Sequence, residues 1–227
     1  MEKNAGSAGI FAKNNARKCC AGVAGMLQLS CTQKPASHDR QNGSKRCHGK
    51  GDFGMKVAMI GHKDFPSRSG GVEVMVGGLA TSLVKRGYEV TVYNRGLQKG
   101  HNIYTADGVQ ARRIFTFKKA ALNAMVYSFL ATFDALIRNY DVIHYHAIGP
   151  SVPLVIAKLF GKHTVCTVHG LNWKVDKWGG FASAYLKLGE RVAAKYADDL
   201  VVLSESEWNY FQEKYDRTAI LIPNAVQ

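Results

Sequence analysis

The sequence predicts an α/β protein in which a mostly parallel, doubly wound sheet carries helices on both faces. Three observations predict it. Short apolar runs recur through residues 55–227, amphipathic segments of helical period separate them, and glycine or proline stands at most of the joints. Alternation of this kind implies right-handed βαβ units, the signature of a Rossmann-like domain.

The elements follow in order. MKVAMIG (55–61) is the first strand, short and apolar. The next helix places Val72, Met75, Val76, Leu79 and Leu83 on one face and stops at Gly87. Gly77 and Gly78 cost it about 1 kcal/mol each relative to alanine, which close packing on the sheet would offset. YEVTVYN (88–94) is the second strand, and IYTADGVQARRIFTF (103–117) is a hairpin or edge pair turning at Asp107-Gly108. A long amphipathic helix covers 121–140, followed by the buried strand DVIHYH (141–146) and a helix over 151–161 closed by Gly161. Then come strand HTVCTVHG (163–170), helix 181–197, strand DLVVLS (199–204), helix ESEWNYFQEKY (205–215) and a last strand, AILIP (219–223). The aromatics of ESEWNYFQEKY, at helical spacing, read as core.

Residues 1–54 differ in kind. They are rich in Gly, Ser, Ala, Asn and Lys, without helical or strand periodicity, and such a segment cannot offset its ordering entropy by burial. The expectation is a disordered basic extension that need not be native, with Met55 as the start of the fold and a candidate start of translation. It holds nine Lys/Arg against three Asp/Glu, so it contributes +6 of the formal net charge of +13. Its charges are scattered and its only aromatics are Phe11 and Phe53, a poor match to a nucleic-acid-binding arm. The remaining +7 forms no concentrated patch in sequence, so nucleic acid is not an expected partner.

Four of the five cysteines (Cys19, Cys20, Cys31, Cys47) lie in that extension, without CxxC pairs or metal-ligand spacing. Cys166 stands alone in an apolar strand, which predicts a buried, reduced thiol and a cytoplasmic setting. No run approaches the roughly 18 apolar residues of a membrane span, and AGVAGMLQL makes a poor signal-peptide core.

In doubly wound sheets, ligands bind beyond the carboxyl ends of the strands. Those positions here are His62 to Gly71, His146 to Pro150, His169 to Trp173 with Asn172 among them, and Ser204 to Ser206. Polar and ionisable groups therefore converge on one edge. Gly70-Gly71 stands at the mouth of the first helix, where free N–H groups and the positive dipole end suit a phosphate. Paired glycines there permit positive φ and close approach of a ligand to the backbone, although Gly-Gly is also the composition of a plain flexible loop. The named nucleotide and hydrolase motifs are missing. G-x-G-x-x-G does not follow the first strand, the second strand ends VYNRG without an acid, and G-x-x-x-x-G-K-[ST], G-x-S-x-G and H-E-x-x-H do not occur.

The ordered set MKVAMIGHKDFPSRSGGVE, DVIHYHAIGP, TVHGLNW and VVLSESEWNYF…ILIPNAV resembles the N-terminal domain of retaining GT-B glycosyltransferases of family 4, the type that builds bacterial polysaccharides and glycolipids. No single motif is decisive, but the order and spacing over 55–227 are. The resemblance implies the N-terminal half of a GT-B fold, with Gly70, Gly71 and the Val72 N–H near the diphosphate and reacting sugar of a nucleotide-sugar donor. It gives His169 a catalytic polar contact beside the transferred sugar and requires neither metal nor cofactor. His146, at the neighbouring strand end, is a candidate for the acceptor pocket. Lys63, Arg68, Lys174 and Lys177 are candidates for acceptor phosphate, or form a solvated basic face. Trp173 and Trp178, flanking KVDK, suit either packing or a peripheral membrane contact where a lipid-linked acceptor resides.

The resemblance also marks departures. The chain ends at IPNAVQ, where the family crosses to a nucleotide-binding C-terminal domain, and Ala225 stands where a glycine is usual. The expectation is therefore the acceptor-side part of a transferase, inactive as a fragment. Two alternatives stand beside it: a non-enzymatic binding half needing a partner chain, and a sugar-nucleotide epimerase, for which Glu73 is the nearby candidate base.

Overall fold

A computed structural model describes residues 54–96, 103–117, 120–171 and 180–223. Asn172, the Trp173–Trp178 loop, Ala225 and the extension up to residue 53 lie outside the described residues. The strands are β1 (Lys56–Ile60), β2 (Glu89–Gly96), β3 (Ile103–Ala106), β4 (Val109–Phe115), β5 (Val142–His146), β6 (His163–Thr167), β7 (Asp199–Val202) and β8 (Ile220–Leu221). The helices are α1 (Gly71–Val84), α2 (Ala120–Ile137), α3 (Leu154–Leu159), α4 (Gly180–Tyr196) and α5 (Glu205–Tyr215).

The strands form one sheet in the order β3-β4-β2-β1-β5-β6-β7-β8. Every neighbouring pair is parallel except β3 and β4, which pair antiparallel. The fold is thus the doubly wound, mostly parallel α/β class expected from the alternation. Asp107 and Gly108 take φ of +51° and +77° in the turn of the β3–β4 hairpin, as the Asp-Gly pair predicts.

Both faces of the sheet are covered, which is why its strands read as continuous apolar runs rather than alternating ones. Val57, Met59, Val90 and Val92 pack with Val76, Leu79 and Leu83 of α1 on one side. Ala58, Ile60, Tyr93, Ile143 and Tyr145 pack on the other with Tyr127 and Ala131 of α2, Leu154 of α3, Val192 of α4 and Phe211 of α5. Cys166 is a free thiol within that second core, its pKa pushed up to about 12 by burial. Trp208 anchors α5 by donating from Nε1 to the Ala219 carbonyl at 2.9 Å. No described helix is long and apolar enough to cross a membrane.

Several local expectations need revising. Val76, Leu79 and Leu83 of α1 are buried as expected and Val72 packs against the same core, but Met75 is only half-buried and the Glu73 side chain joins the buried face. Gly77 and Gly78 do not serve close packing on the sheet. A Cβ at Gly77 would meet Phe65 at an ordinary 3.5 Å, and one at Gly78 would meet nothing within 4 Å. The helix expected over 151–161 is confined to Leu154–Leu159, with Pro153 as its N-cap. On the hairpin side, Arg112 is buried on β4 and pairs with Asp134 of α2 at 3.1 Å, while the Tyr93 hydroxyl donates to the same carboxylate at 2.8 Å.

Candidate functional site

The parallel register brings the ends of β1, β5 and β6 level: Ile60 pairs with Tyr145, and His146 with Thr167. The residues that follow form a row. Gly61 leaves β1 at φ +132°, and a Cβ there would sit 2.0 Å from the His146 carbonyl oxygen. Only glycine allows β1 and β5 to approach this closely at their ends. His62, His144, His146 and His169 then gather behind the mouth of α1. The rings of His144 and His146 lie 4.1 Å apart between centroids, and His146 Nδ1 is 3.3 Å from His169 Nε2.

These histidines are neutral at neutral pH. Burial lowers His62 to about 4 against the pull of its Asn94 hydrogen bond, and lowers His144 to about 3. It takes His146 well below the ordinary value, helped by the neighbouring rings. His169 falls to about 4 by burial, opposed by the charge of Glu73. The tautomer of His62 follows from its partner. Asn94 directs its Nδ2 toward Asp64, the Phe65 carbonyl and the Tyr104 hydroxyl, so its Oδ1 faces His62 Nε2 at 2.8 Å and can only accept. His62 Nδ1 is then a bare acceptor, buried without a partner among the described residues, and His146 Nε2 is buried and unpartnered likewise. A neutral imidazole with a spare nitrogen is suited to hydrogen-bonding an uncharged hydroxyl. Among the described residues no group of three or more His, Cys, Asp or Glu is arranged to hold a metal ion.

The mouth of α1 differs in detail from the sequence reading. Gly70 is the N-cap with φ −163°, an extended conformation open to any residue, and Gly71 begins the helix. Neither glycine uses positive φ. A Cβ on Gly71 would meet nothing within 4 Å, whereas one on Gly70 would fall 2.5 Å from Glu73 Oε2. The first helical bond runs from the Val74 N–H to the Gly70 carbonyl, and no side chain caps the helix. The N–H groups of Gly71 and Val72 are thus available to an outside acceptor. Arg68 is exposed on the same loop, and Glu73 is buried, turned inward to accept the Lys63 N–H at 3.2 Å.

Arg68, Gly70, Gly71, Val72, Glu73, His146 and His169 therefore share the carboxyl edge of the sheet, as expected of residues just beyond strand ends. Ser204 lies at the end of β7, where its hydroxyl caps α5 by accepting the Glu207 N–H at 3.3 Å. The sequence places His62 just beyond β1 without a role, and gives none to His144, Asn94 or Arg95. Arg95 donates to the Gly61 carbonyl at 2.8 Å and lies 5.2 Å above the Tyr127 ring. His62, Asn94 and Arg95 lie at or just beyond strand ends, where the strand-end rule carries the signal, whereas His144 is in the middle of β5 and has no such signal.

A doubly wound, mostly parallel sheet with an uncapped helix mouth on its carboxyl edge defines a Rossmann-like α/β domain. Residues 69–227 match Glycosyltransferase Family 4, and the chain belongs to that family. Sucrose-phosphate synthase from Thermosynechococcus elongatus is similar in fold, with a TM-score of 0.62 at 17% identity over 76% of this chain and 49% of that one. A second structure of the synthase from the same organism gives a TM-score of 0.53 at 13% identity, covering 77% of this chain and 90% of that one. The chain spans about half the length of the first of these. No curated protein sequence matches it significantly.

Proposed function

We propose that the chain is the acceptor-side half of a retaining hexosyltransferase. The complete enzyme moves a sugar from a nucleotide-sugar donor to a glycan or lipid-linked acceptor in polysaccharide or cell-envelope biosynthesis. It works in the cytoplasm, with peripheral contact at the inner face of the membrane, and without nucleic acid, metal or cofactor. The observation that carries this reading is the half-buried His169, with His146 buried behind it, on the same sheet edge as the free N–H groups of Gly71 and Val72. The first suits sugar hydroxyls, and the second suits the phosphate released as the glycosidic bond is exchanged. In the complete enzyme a second, nucleotide-binding domain closes the cleft over this edge. The epimerase reading loses support because the Glu73 carboxylate points inward onto the Lys63 N–H rather than out toward a substrate. The outward apolar row Leu122, Leu130, Phe133 and Ile137 on α2 supports a lipid-borne acceptor.

The test is Gly71→Val in the complete enzyme. The added side chain has room in the free protein, since nothing lies within 4 Å of a Cβ there. The urea midpoint should therefore hold while sugar transfer from labelled donor falls by about 100-fold or more, on the scale of losing oxyanion-type donors. Unchanged transfer would remove the loop from the mechanism.

A further inference from the structure

We propose that Glu73 is a positioning residue, a latch that sets the path of the β1–α1 loop across the histidine row, and that Gly70 is glycine to make room for it. The proposal rests on the transferase reading only for what the loop then holds.

Glu73 occupies the third position of α1, where an acid often folds back onto the N-cap N–H. Here it reaches further. Oε1 accepts the N–H of Lys63, ten residues earlier, while Oε2 fills the space where a Cβ on Gly70 would stand, 2.5 Å away. The carboxylate is thus wedged between the two ends of the loop and is 7% exposed. Carboxylates are seldom buried so deeply without compensation, and the Lys63 amide and the N-terminal end of α1 supply it. The paired glycines consequently divide the work: Gly70 admits the latch, and Gly71 lies open to an incoming ligand.

The latch also holds a negative charge where three elements meet. Glu73 faces His62 from the end of β1, Arg95 from the end of β2 and His169 from beyond β6. His169 in turn contacts His146. Releasing Glu73 unties the Lys63 N–H and the approach to α1, while Asn94 still holds Asp64 and Phe65 and the Arg95 N–H still bonds the Lys63 carbonyl; it also removes the counter-charge from the histidine beside which the sugar is placed.

Two readouts on the 227-residue chain test this without turnover. In amide hydrogen exchange, Glu73→Ala and Gly70→Ala should each speed exchange at Lys63 by about tenfold, the loss of one net hydrogen bond. The double variant should be no faster than the faster single one, because both changes open the same latch. Glu73→Gln keeps the size and one acceptor oxygen, so Lys63 stays protected, yet it removes the charge. The His169 ring, followed by NMR, should then protonate at a lower pH than in the parent. A merely structural role for Glu73 would leave that titration in place. Unchanged exchange in Glu73→Ala, additive effects in the double variant, or an unmoved His169 would each overturn the proposal. If Glu73→Ala fails to fold, the Gly70→Ala exchange and the Glu73→Gln titration still decide it. Success in both readouts with no transfer by the complete parent enzyme would leave the latch standing and sink the transferase reading.

Discussion

The two ends of the parallel strands use the same residue types in opposite ways. At the amino ends of β1, β6 and β7 the carboxylates are paired. The Lys56 N–H donates to Asp141 at 2.7 Å, and His163 Nε2 meets Asp199 at 2.8 Å. Asp198 accepts from the Thr164 N–H and hydroxyl, both at 2.9 Å, and from Lys158 at 2.5 Å. At the carboxyl ends, His62 Nδ1 and His146 Nε2 are buried without partners among the described residues, and no carboxylate pairs directly with any of the four rings there. A buried polar atom left unpaired costs about 1–3 kcal/mol. The amino ends of β1, β6 and β7 tie the sheet together through paired groups, and the carboxyl ends leave two buried imidazole nitrogens unpaired.

Acid should expose that contrast most strongly. Burial holds His62, His144 and His169 at about 4, 3 and 4, below the ordinary 6.5. The folded state therefore binds fewer protons than the unfolded one across this range. The stability these rings protect is fully present above about pH 6.5 and is lost as pH falls toward 4. Each ring contributes a slope of at most about 1.4 kcal/mol per pH unit, so three acting together approach about 4. Asp198 behaves differently. Burial would raise its pKa, but hydrogen bonds from Lys158 and Thr164 outweigh that and hold it below 3.8. Its contribution is present above about pH 4 and fades only below it. Urea midpoints should thus drop steeply between pH 7.5 and pH 5, and equal midpoints would mean that the histidines are not buried as described.

The paired end should be the more sensitive to a single truncation at neutral pH. Asp198→Ala removes acceptors for the Thr164 N–H and hydroxyl and leaves Lys158 without its carboxylate. The expected loss is about 2–3 kcal/mol, on the usual scale for hydrogen bonds of which one involves a charged group. A loss under about 0.5 kcal/mol in urea titration would show that the amino-end network is ornamental.

How much of this was legible in the sequence depends on whether a feature is local. The strands and helices follow from period and punctuation, and the Asp107-Gly108 turn from its own chemistry. His62, His146 and His169 fall on one edge because strand ends in parallel sheets must. The contacts across the fold were not legible. Gly70 looked like a residue chosen for positive φ or ligand approach, but it is extended and shaped by Glu73. Gly61 looked like the close of a strand, but it faces the His146 carbonyl, and Gly189, in the middle of α4, faces the Ile148 carbonyl. The Arg112–Asp134 pair joins a hairpin strand to a helix that apolar periodicity alone would have left dry. Each of these depends on which distant segment lies opposite, and a one-dimensional pattern does not carry that.

The smallest expected effect on stability bears most directly on the contrast. His146→Leu removes a ring whose Nε2 has no partner and whose Nδ1 makes one 3.3 Å contact with His169. Leucine is smaller than imidazole in its polar reach but similar in bulk, and it brings no unpaired atom into the core. At pH 7.5 the urea midpoint should move by less than about 1 kcal/mol in either direction, since relief of one orphaned atom offsets the lost contact. At pH 5 the variant should gain on the parent, because one of the groups that must be charged on acidification is gone. In the complete enzyme the same change should reach transfer only through His169, the ring that His146 Nδ1 supports at 3.3 Å. A loss above about 2 kcal/mol at pH 7.5 would place His146 with the paired residues of the amino end, and the carboxyl edge would lose its claim to be the unpaired end.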